Sequence, residues 1–420
     1  MKPYHDNRYI ISCIGYFLFE EETIMKKLVS LALAAVLAVS AVGCGSSSDS
    51  SSSTADSAQS TEAAADGATF KIGGIGPITG GAAIYGQAVM NAAQMAVDKI
   101  NADGGINGYQ VEFRFEDDEH DAEKSVNAYN TLKDWGMQML MGTVTSTPCT
   151  AVSAKTEEDN MFQLTPSGSA VESIAPANAF RVCFSDPNQG TASAQYIGEN
   201  KLASKVAVIY NSSDVYSSGI YQTFATEAAN QGFEIVAAEA FTEDSKTDFS
   251  VQLQKAKEAG AELVFLPIYY TEASIILTQA NTMGYDPMFF GCDGMDGILG
   301  VENFDTSLAE DLMLLTPFVA DAQDEKTQAF VSEYKEKFND TPNQFAADTY
   351  DVLYAMKAAA DAAEITPDMS NEDISAAMSE AMLSVELDGL TGKAKWTEDG
   401  ECDKEPKAFE IQDGAYVEME

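Results

Sequence analysis

Residues 69–115 read TFKIGGIGPITGGAAIYGQAVMNAAQMAVDKINADGGINGYQVEFRF, and this stretch decides the fold class. Apolar residues dominate its first segment (69–75), recur at helical spacing in the second (87–100) and alternate in the last (109–115). The outer segments are therefore predicted to be strands and the middle one a helix, which Gly104 and Gly105 end. Two strands joined by a helix of this length are expected to lie parallel in one sheet.

The same alternation of strands and helices continues in two blocks. Strands joined by helices of ten to fifteen residues predict parallel sheets, so two blocks predict an α/β fold of two doubly wound lobes joined by a hinge. The further predicted strands are residues 138–141, 161–164, 206–210, 234–240, 263–267 and 288–290, and the further helices are 124–135, 150–158, 220–231, 251–259 and 273–283.

The C-terminal part departs from this alternation. Three helices are predicted at 327–338, 344–363 and 374–382, followed by two antiparallel strands, 392–396 and 408–413, around a turn at Gly400. The tail is expected to return to the first lobe. The predicted first lobe comprises residues 69–186 and 317–390, and the second comprises 187–316 and 391–420.

The N-terminal region resembles the signal peptide of a bacterial lipoprotein. Lys26 and Lys27 precede a short apolar run, and the small residues 41–43 precede Cys44, which makes residues 25–43 a predicted signal and Cys44 the predicted lipidated residue. The run is too short to span a bilayer. Residues 44–68, rich in serine, predict a disordered tether. Residues 1–24 fit poorly before a signal, so Met25 is the expected start.

The charge of the chain excludes one class of partner. The formal net charge is −42, and it is unchanged when residues 1–44 are removed. Such an acidic surface repels phosphate backbones and anionic lipid head groups. Nucleic acid is therefore not expected as a partner, and a membrane is expected to hold the protein only through the lipid.

Residues for enzymatic chemistry are scarce. The two histidines are His5, in the leader, and His120, which lies in an acidic cluster at 117–121. That cluster could bind a metal, but it is better interpreted as a hydrated turn that caps a helix. A nucleophile elbow and a phosphate-binding loop are absent, and residues 74–80 fit a dinucleotide turn poorly. We expect no catalytic site, cofactor or metal. Cysteine spacing leaves disulfides and free thiols equally open.

Hydroxyl and acidic groups follow the predicted strands. Segments 143–148 and 165–169 are rich in serine and threonine and follow strands of the first block. Ligands bind at the carboxyl ends of parallel strands, where hydroxyls and helix amides form a neutral site for a carboxylate. Segments 214–216, 269–270 and 291–294 follow strands of the second block and supply acids and tyrosines. An acid at this position can accept hydrogen bonds from a ligand ammonium.

From residue 69 onward the chain resembles the branched-chain amino-acid binding proteins of ABC importers, which have the type I periplasmic-binding fold. The most specific segment is Asn-x-x-Gly-Gly-Ile-x-Gly at 101–108. The other segments that carry the resemblance are residues 75–80 with 85–86, 117–118, 141–142, 165–169, Tyr216, Phe249 with 252–253, and 291–294.

The resemblance implies roles for residues of both blocks. Ser146 and Ser169, together with amides near Ser167, would hold the α-carboxylate of an amino acid. Asp293 would hold the α-ammonium with help from Tyr216 and the carbonyl group of Ser167. The two blocks would then supply opposite polarity to one zwitterion.

The side chain of the ligand would be enclosed by Tyr85, Tyr216 and Tyr269. Two departures from the family pattern are present. Asp293 stands where the family often has the longer glutamate, and a disulfide common in related lobes is absent because residues 118–121 contain no cysteine. The first departure bears on the size of the ligand and the second on stability.

The implied function is that of an extracytoplasmic, lipid-anchored solute-binding protein that delivers a neutral amino acid, branched-chain or otherwise aliphatic, to the permease subunits of an ABC importer. The protein is expected to be a monomer and not an enzyme. Two alternatives stay open at this point: a ligand-sensing module for a membrane receptor, and a secreted α/β enzyme.

Overall fold

The computed structural model describes residues 67–404 and 406–419. The predictions for residues 1–24, for the signal at 25–43, for Cys44 and for most of the tether lie outside the described residues. Within the described ranges, no helix has the length and the apolar character that crossing a membrane requires.

Five parallel strands form the first sheet, in the order β2-β1-β3-β4-β5. The strands β3 and β4 are buried on both faces, which is why β3 reads as a short continuous apolar run. The strands are β1 (Thr69–Gly76), β2 (Gln110–Asp117), β3 (Met139–Gly142), β4 (Phe162–Thr165) and β5 (Ala179–Arg181), with helices α1 (Ala83–Ala102), α2 (Ala122–Trp135) and α3 (Ser146–Glu158) between them.

Local signals set the ends of α2. The side chain of Asp121 accepts a hydrogen bond from the backbone N–H of Lys124 at 2.9 Å, so it caps the first turn. At the other end Gly136 has a φ of 93°, a left-handed conformation that suits glycine. The interpretation of cluster 117–121 as a helix cap is thereby confirmed. Among the residues that the structure describes, no group of histidine, cysteine and acidic side chains is suited to hold a metal.

Seven strands form the second sheet, in the order β14-β13-β10-β9-β8-β6-β7. The five strands of its centre and one edge are parallel, and β13 and β14 add to the other edge in antiparallel fashion. The parallel strands are β6 (Lys205–Asn211), β7 (Glu234–Phe241), β8 (Leu263–Leu266), β9 (Met288–Gly291) and β10 (Met313–Thr316), and the helices are α4 (Asp186–Glu199), α5 (Val215–Ala228), α6 (Ser250–Ala259) and α7 (Tyr270–Thr282).

The C-terminal helices return to the first sheet. Helix α9 (Gln344–Ala362) packs along α1, and α10 (Asn371–Met382) packs on α9 and on β4, while α8 (Glu325–Phe338) also contacts α1. The predicted helices of this part are confirmed, and so is the parallel α/β architecture.

The predicted pairing of strands 392–396 and 408–413 with each other is wrong. The first pairs as β12 (Gly392–Lys395) with β11 (Glu386–Gly389), and the second, β13 (Lys407–Gln412), pairs with β10 and with β14 (Ala415–Glu418). Burial explains the outcome, because Phe409 and Ile411 complete the core of the second sheet. The turn at Gly400 closes only an isolated bridge between Trp396 and Cys402.

Residues 391–404 contact the first sheet before the chain joins the second. Lys404 forms a buried ion pair with Asp348 of α9, with 3.3 Å between Nζ and Oδ1, and the N–H of Arg181 donates to the carbonyl group of Gly400 at 3.0 Å. The division of the chain into 69–186 with 317–390 and 187–316 with 391–420 stays a prediction. These contacts favour assigning residues 391–404 to the first lobe instead.

Five elements of the structure were not predicted from sequence patterns: α4, β5, β10, β11 and β14.

Four cysteines are buried free thiols: Cys149, Cys183, Cys292 and Cys402. Cysteine spacing left disulfides and free thiols equally open, and the structure decides for free thiols at these four positions.

Candidate functional site

The predicted ligand residues lie at the points where both sheets reverse their strand order. In the first sheet the chain passes from β1 outward to β2 and then back to β3, and in the second it passes from β6 to β7 and back to β8. The loops after β1 and β3, and those after β6 and β8, therefore diverge and leave a crevice in each sheet. Tyr85 and Ser146 follow the first pair of strands, and Tyr216 and Tyr269 follow the second.

These loops meet around a single small cavity of about 10 Å³, which has room for one water at most. Six of the seven predicted residues line it, and Ser169 lies directly behind, with its Oγ 3.3 Å from the Oγ of Ser146. The lining residues are Tyr85, Val144, Thr145, Ser146, Ser167, Tyr216, Tyr269, Asp293, Gly294 and Phe345. The structure thus brings together residues that are more than 200 positions apart in the sequence.

One wall of the cavity offers neutral hydrogen-bonding groups. Ser146 is the first residue of α3, whose amino-terminal N–H groups receive no side-chain cap. The Oγ of Ser146 accepts from the N–H of Ala170 at 3.2 Å, and the Oγ of Ser167 donates to the carbonyl group of Val144 at 2.6 Å. Free helix amides beside hydroxyls form a site that suits a carboxylate.

The opposite wall carries a buried acid. Asp293 is 2% exposed, its Oδ1 accepts from the hydroxyl of Tyr216 at 2.8 Å, and its own N–H donates to Oε1 of Gln189 at 3.3 Å. Burial raises the pKa of Asp293 to about 7, although the hydrogen bond from Tyr216 acts in the opposite direction. A ligand cation that approached this acid would stabilise its ionised form.

Aromatic rings fill the space between the two walls. The rings of Tyr216 and Tyr269 stack with centroids 4.8 Å apart, and Tyr85 packs against Phe345 at 4.3 Å. The hydroxyl of Tyr85 also donates to the carbonyl group of Gly294 at 2.5 Å, which connects α1 with the segment after β9. The rings would have to separate to admit a ligand, so the cavity is closed in this structure.

Sequence reasoning missed residues of the site that two helices supply. Phe345 lies in the first turn of α9 and lines the cavity, and Gln189, near the start of α4, accepts a hydrogen bond from the N–H of Asp293. A signal for α4 was present, because Ser185 caps the helix and Pro187 occupies its first turn, a combination typical of helix starts. The weak apolar periodicity of α4 hid it.

A larger cavity of about 250 Å³ adjoins the small one and shares Tyr269 as a wall. His120 lines it, with Nδ1 2.8 Å from Oγ1 of Thr145 and its ring edge-on to that of Tyr269. Burial lowers the pKa of His120, and the charges of Asp214 and Glu243 partly offset this effect. His120 therefore ties the loop after β2 to the loop after β3 as a neutral side chain.

Comparison with known proteins places the chain among ligand-binding proteins. Residues 69–415 match the family model described as periplasmic binding protein. The chain is 30% identical to the leucine-, isoleucine-, valine-, threonine- and alanine-binding protein of Pseudomonas aeruginosa over 296 residues, which are 69% of this chain and 77% of that protein. It is 32% identical to a Leu/Ile/Val-binding protein homologue of Brucella melitensis over 56% of this chain, and the match spans 63% of that relative's length.

A solved structure of a transporter substrate-binding protein has a similar fold. The branched-chain amino acid transporter substrate-binding protein LivJ of Streptococcus pneumoniae, determined in complex with isoleucine, superimposes with a TM-score of 0.75 at 27% sequence identity. The match covers 84% of this chain and all of that one. The type I periplasmic-binding fold inferred from the sequence is confirmed.

Proposed function

The chain belongs to the periplasmic binding protein family, and from that premise we propose that it binds a neutral amino acid, branched-chain or otherwise aliphatic, and delivers it to the permease of an ABC importer. The ligand would lie between two lobes that close on it. The known relatives described above, named for leucine, isoleucine and valine binding, support this ligand class.

One observation carries the proposal: a neutral wall of serine hydroxyls and helix amides faces a buried acid, Asp293, across a single cavity. A zwitterion matches this arrangement, since its carboxylate can accept from Ser146 and the α3 amides while its ammonium donates to Asp293. Apart from Asp293 the lining is uncharged, and it contains no lysine or arginine. An acidic ligand side chain would therefore find no counter-charge.

The function explains why the site spans two sheets. A ligand that contacts the loops after β3 and β9 at once binds the closed state more tightly than any open one. Binding energy is thereby converted into closure, which a permease can distinguish from the unliganded form.

Isothermal titration of the purified protein with the twenty amino acids tests the ligand class. We expect leucine, isoleucine and valine to bind and aspartate and glutamate not to bind. The proposal is wrong if no aliphatic amino acid binds at millimolar concentration, or if an acidic one binds best.

We further propose that Cys44 carries lipid and holds a monomeric protein at the outer face of the cell membrane. Fractionation of cells that express the full chain tests this, because Cys44→Ser should move the protein from the membrane to the soluble fraction.

Two further measurements test the remaining expectations. Light scattering of the purified protein tests the monomeric state. Recovery of unchanged ligand after binding tests the expectation that the protein is not an enzyme.

A further inference from the structure

Arg181 is a fully buried arginine at the end of β5. Its relative exposure is 0%, and one of its nitrogens, Nη1, donates to three consecutive carbonyl groups: those of Gly168 at 3.2 Å, Ala170 at 3.1 Å and Ser169 between them. A buried charge is costly unless it is paired and hydrogen-bonded. Most of the hydrogen bonds of this guanidinium go to the neutral backbone of one loop, the loop after β4.

The contacts with Arg181 fix the direction of the peptide groups in this loop. A trans peptide group holds its C=O and the N–H that follows on opposite sides. Because the carbonyl groups of Gly168 and Ser169 point towards the guanidinium, the N–H groups that follow them point away from it. The second of these, the N–H of Ala170, donates to the Oγ of Ser146 at 3.2 Å. The side of the loop that faces away from the arginine is therefore the side of the ligand cavity.

The C-terminal segment holds Arg181 in turn. The guanidinium pairs with Glu401, its one ion-pair partner in the described part of the chain, with 3.1 Å between Nη2 and Oε1. The carbonyl group of Arg181 accepts from Nε1 of Trp396 at 2.6 Å, and its N–H donates to the carbonyl group of Gly400 at 3.0 Å. A Cβ at Gly400 would lie 2.3 Å from the carbonyl oxygen of Ala179, so only glycine permits this approach. The arginine is thus held independently of the loop that it orients.

Loss of the guanidinium would remove the donor on which three carbonyl oxygens converge. The partial negative charges of these oxygens would then face one another, and the loop residues that carry them are buried. Rotation of a peptide group would relieve this repulsion, but it would also turn an N–H away from the ligand cavity. The direction of these N–H groups therefore depends on the arginine.

We propose that Arg181 is a positioning residue for the α-carboxylate of the ligand: it orients the N–H groups of Ser169 and Ala170 and places a buried positive charge behind them without touching the ligand. This inference rests on the proposed function, in which the loop after β4 contributes to carboxylate binding. The cavity lining contains no lysine or arginine, so the positive charge acts from behind the neutral wall. In a site from which water is excluded, such a charge favours a carboxylate over a neutral group of the same shape.

The test compares leucine with leucinamide, in which a neutral amide replaces the carboxylate, in titrations of the wild-type protein and of Arg181→Met. Methionine retains an unbranched side chain but has neither charge nor donor. Hydrogen bonds to a charged group contribute about 10- to 100-fold in affinity, so the preference for leucine over leucinamide should fall at least tenfold in this variant. A purely structural role for Arg181 would weaken both ligands alike and leave the preference unchanged.

Arg181→Lys tests rescue by the conservative variant. The lysine ammonium keeps the charge and has three donors for the three carbonyl groups, so the preference for leucine should stay within about threefold of the wild type. Arg114→Met is the matched control, because Arg114 lies in β2, pairs with Glu116 and has a side chain that is 43% exposed. Its preference for leucine should equal that of the wild type.

Glu401→Gln tests the inference at a side chain that is 37% exposed, where folding is not at risk. This variant keeps the guanidinium on the loop, so its preference for leucine should equal or exceed that of the wild type. The inference is wrong if Arg181→Met keeps the wild-type preference, or if Glu401→Gln or Arg181→Lys loses tenfold of it. If Arg181→Met does not fold, the latter two variants decide. A wild-type protein that binds no aliphatic amino acid would instead contradict the proposed function.

Discussion

Single side chains determine the polarity of the site. In the proposed function, Asp293 would bind the ammonium of a zwitterion and the hydroxyls of Ser146 and Ser169 its carboxylate, and none of these three residues exceeds 2% exposure. Because water is excluded, each hydrogen bond to the ligand contributes more than it would at the surface, and each unmade one costs more. Affinity is therefore expected to respond sharply to single substitutions here.

Asp293→Ala should weaken leucine binding by about 3–5 kcal/mol, because the ligand ammonium would be buried without its principal charge partner. Calorimetry of the variant with leucine, isoleucine and valine measures the change. As a control, Asp388→Ala alters an exposed acid in β11 and should bind like the wild type. Equal affinities for the Asp293 variant and the wild type would show that this acid does not recognise the ammonium.

Leucine affinity should depend on pH through Asp293. The pKa of this group in the unliganded protein is raised to about 7, so below that pH the protein must lose a proton to bind an ammonium. Affinity is expected to increase roughly 25-fold between about pH 5.5 and 7.5 and then to level off, with protons released on binding below about pH 7. A flat profile, or an affinity that falls as the pH rises, contradicts this prediction.

The raised pKa of Asp293 has the opposite consequence for the stability of the unliganded protein, which should decrease as the pH rises. A raised pKa means that the folded state holds its proton more tightly than the unfolded state, whose pKa is close to 3.8. The contribution of Asp293 to the free energy of unfolding is therefore lost as the pH rises from about 4 to about 7. Asp293→Asn should raise the melting temperature of the unliganded protein at pH 7.5 but not at pH 4.

At the scale of elements, close contacts between backbone segments hold the ligand loops. Helix α1 approaches the loop after β1 so closely that Gly86 leaves no room for a side chain. The same close approach sets the position of Tyr85, which is the residue before Gly86 in α1. The stability of the first sheet and the shape of the site therefore depend on one glycine.

Gly86→Ala should destabilise the protein by about 1–3 kcal/mol, because its Cβ would lie 2.0 Å from the carbonyl oxygen of Pro77. Alanine has the higher helix propensity, so the loss would occur in spite of a gain of about 1 kcal/mol. Urea unfolding measures the difference. Gly81→Ala is the control, since nothing lies within 4 Å of a Cβ there and stability should not fall.

At the scale of the whole molecule, few polar contacts connect the segment after β3 with the segment after β6. The hydroxyl of Thr147 donates to Oδ1 of Asp214 at 2.8 Å, and Asp214 in turn caps α5. On another side of the cavity, the hydrogen bond from the hydroxyl of Tyr85 to the carbonyl group of Gly294 connects α1 with the segment after β9. In the proposed function these contacts belong to the closed state, so they would contribute to ligand affinity without touching the ligand.

Thr147→Val preserves shape and removes the hydroxyl, and it should reduce leucine affinity about tenfold through loss of a hydrogen bond to a charged group. Small-angle X-ray scattering should show a larger radius of gyration for the unliganded variant than for the wild type. Thr131→Val, on α2 and away from the cavity, removes a hydroxyl that bonds only within its own helix and should change neither quantity. Unaltered affinity in the Thr147 variant would show that closure does not depend on this contact.

Sequence patterns were sufficient for the architecture, and the resemblance to a known family indicated seven residues that the structure gathers around one cavity. Helical and alternating periodicities are local properties, and polar residues that follow parallel strands must lie at one edge of a sheet. What required the tertiary structure was every feature that depends on partners distant in the chain. These are the addition of β13 and β14 to the second sheet, the stacking of Tyr269 on Tyr216, and the burial of Asp293. Burial and pairing arise only when remote segments pack together, so no local pattern could reveal these features.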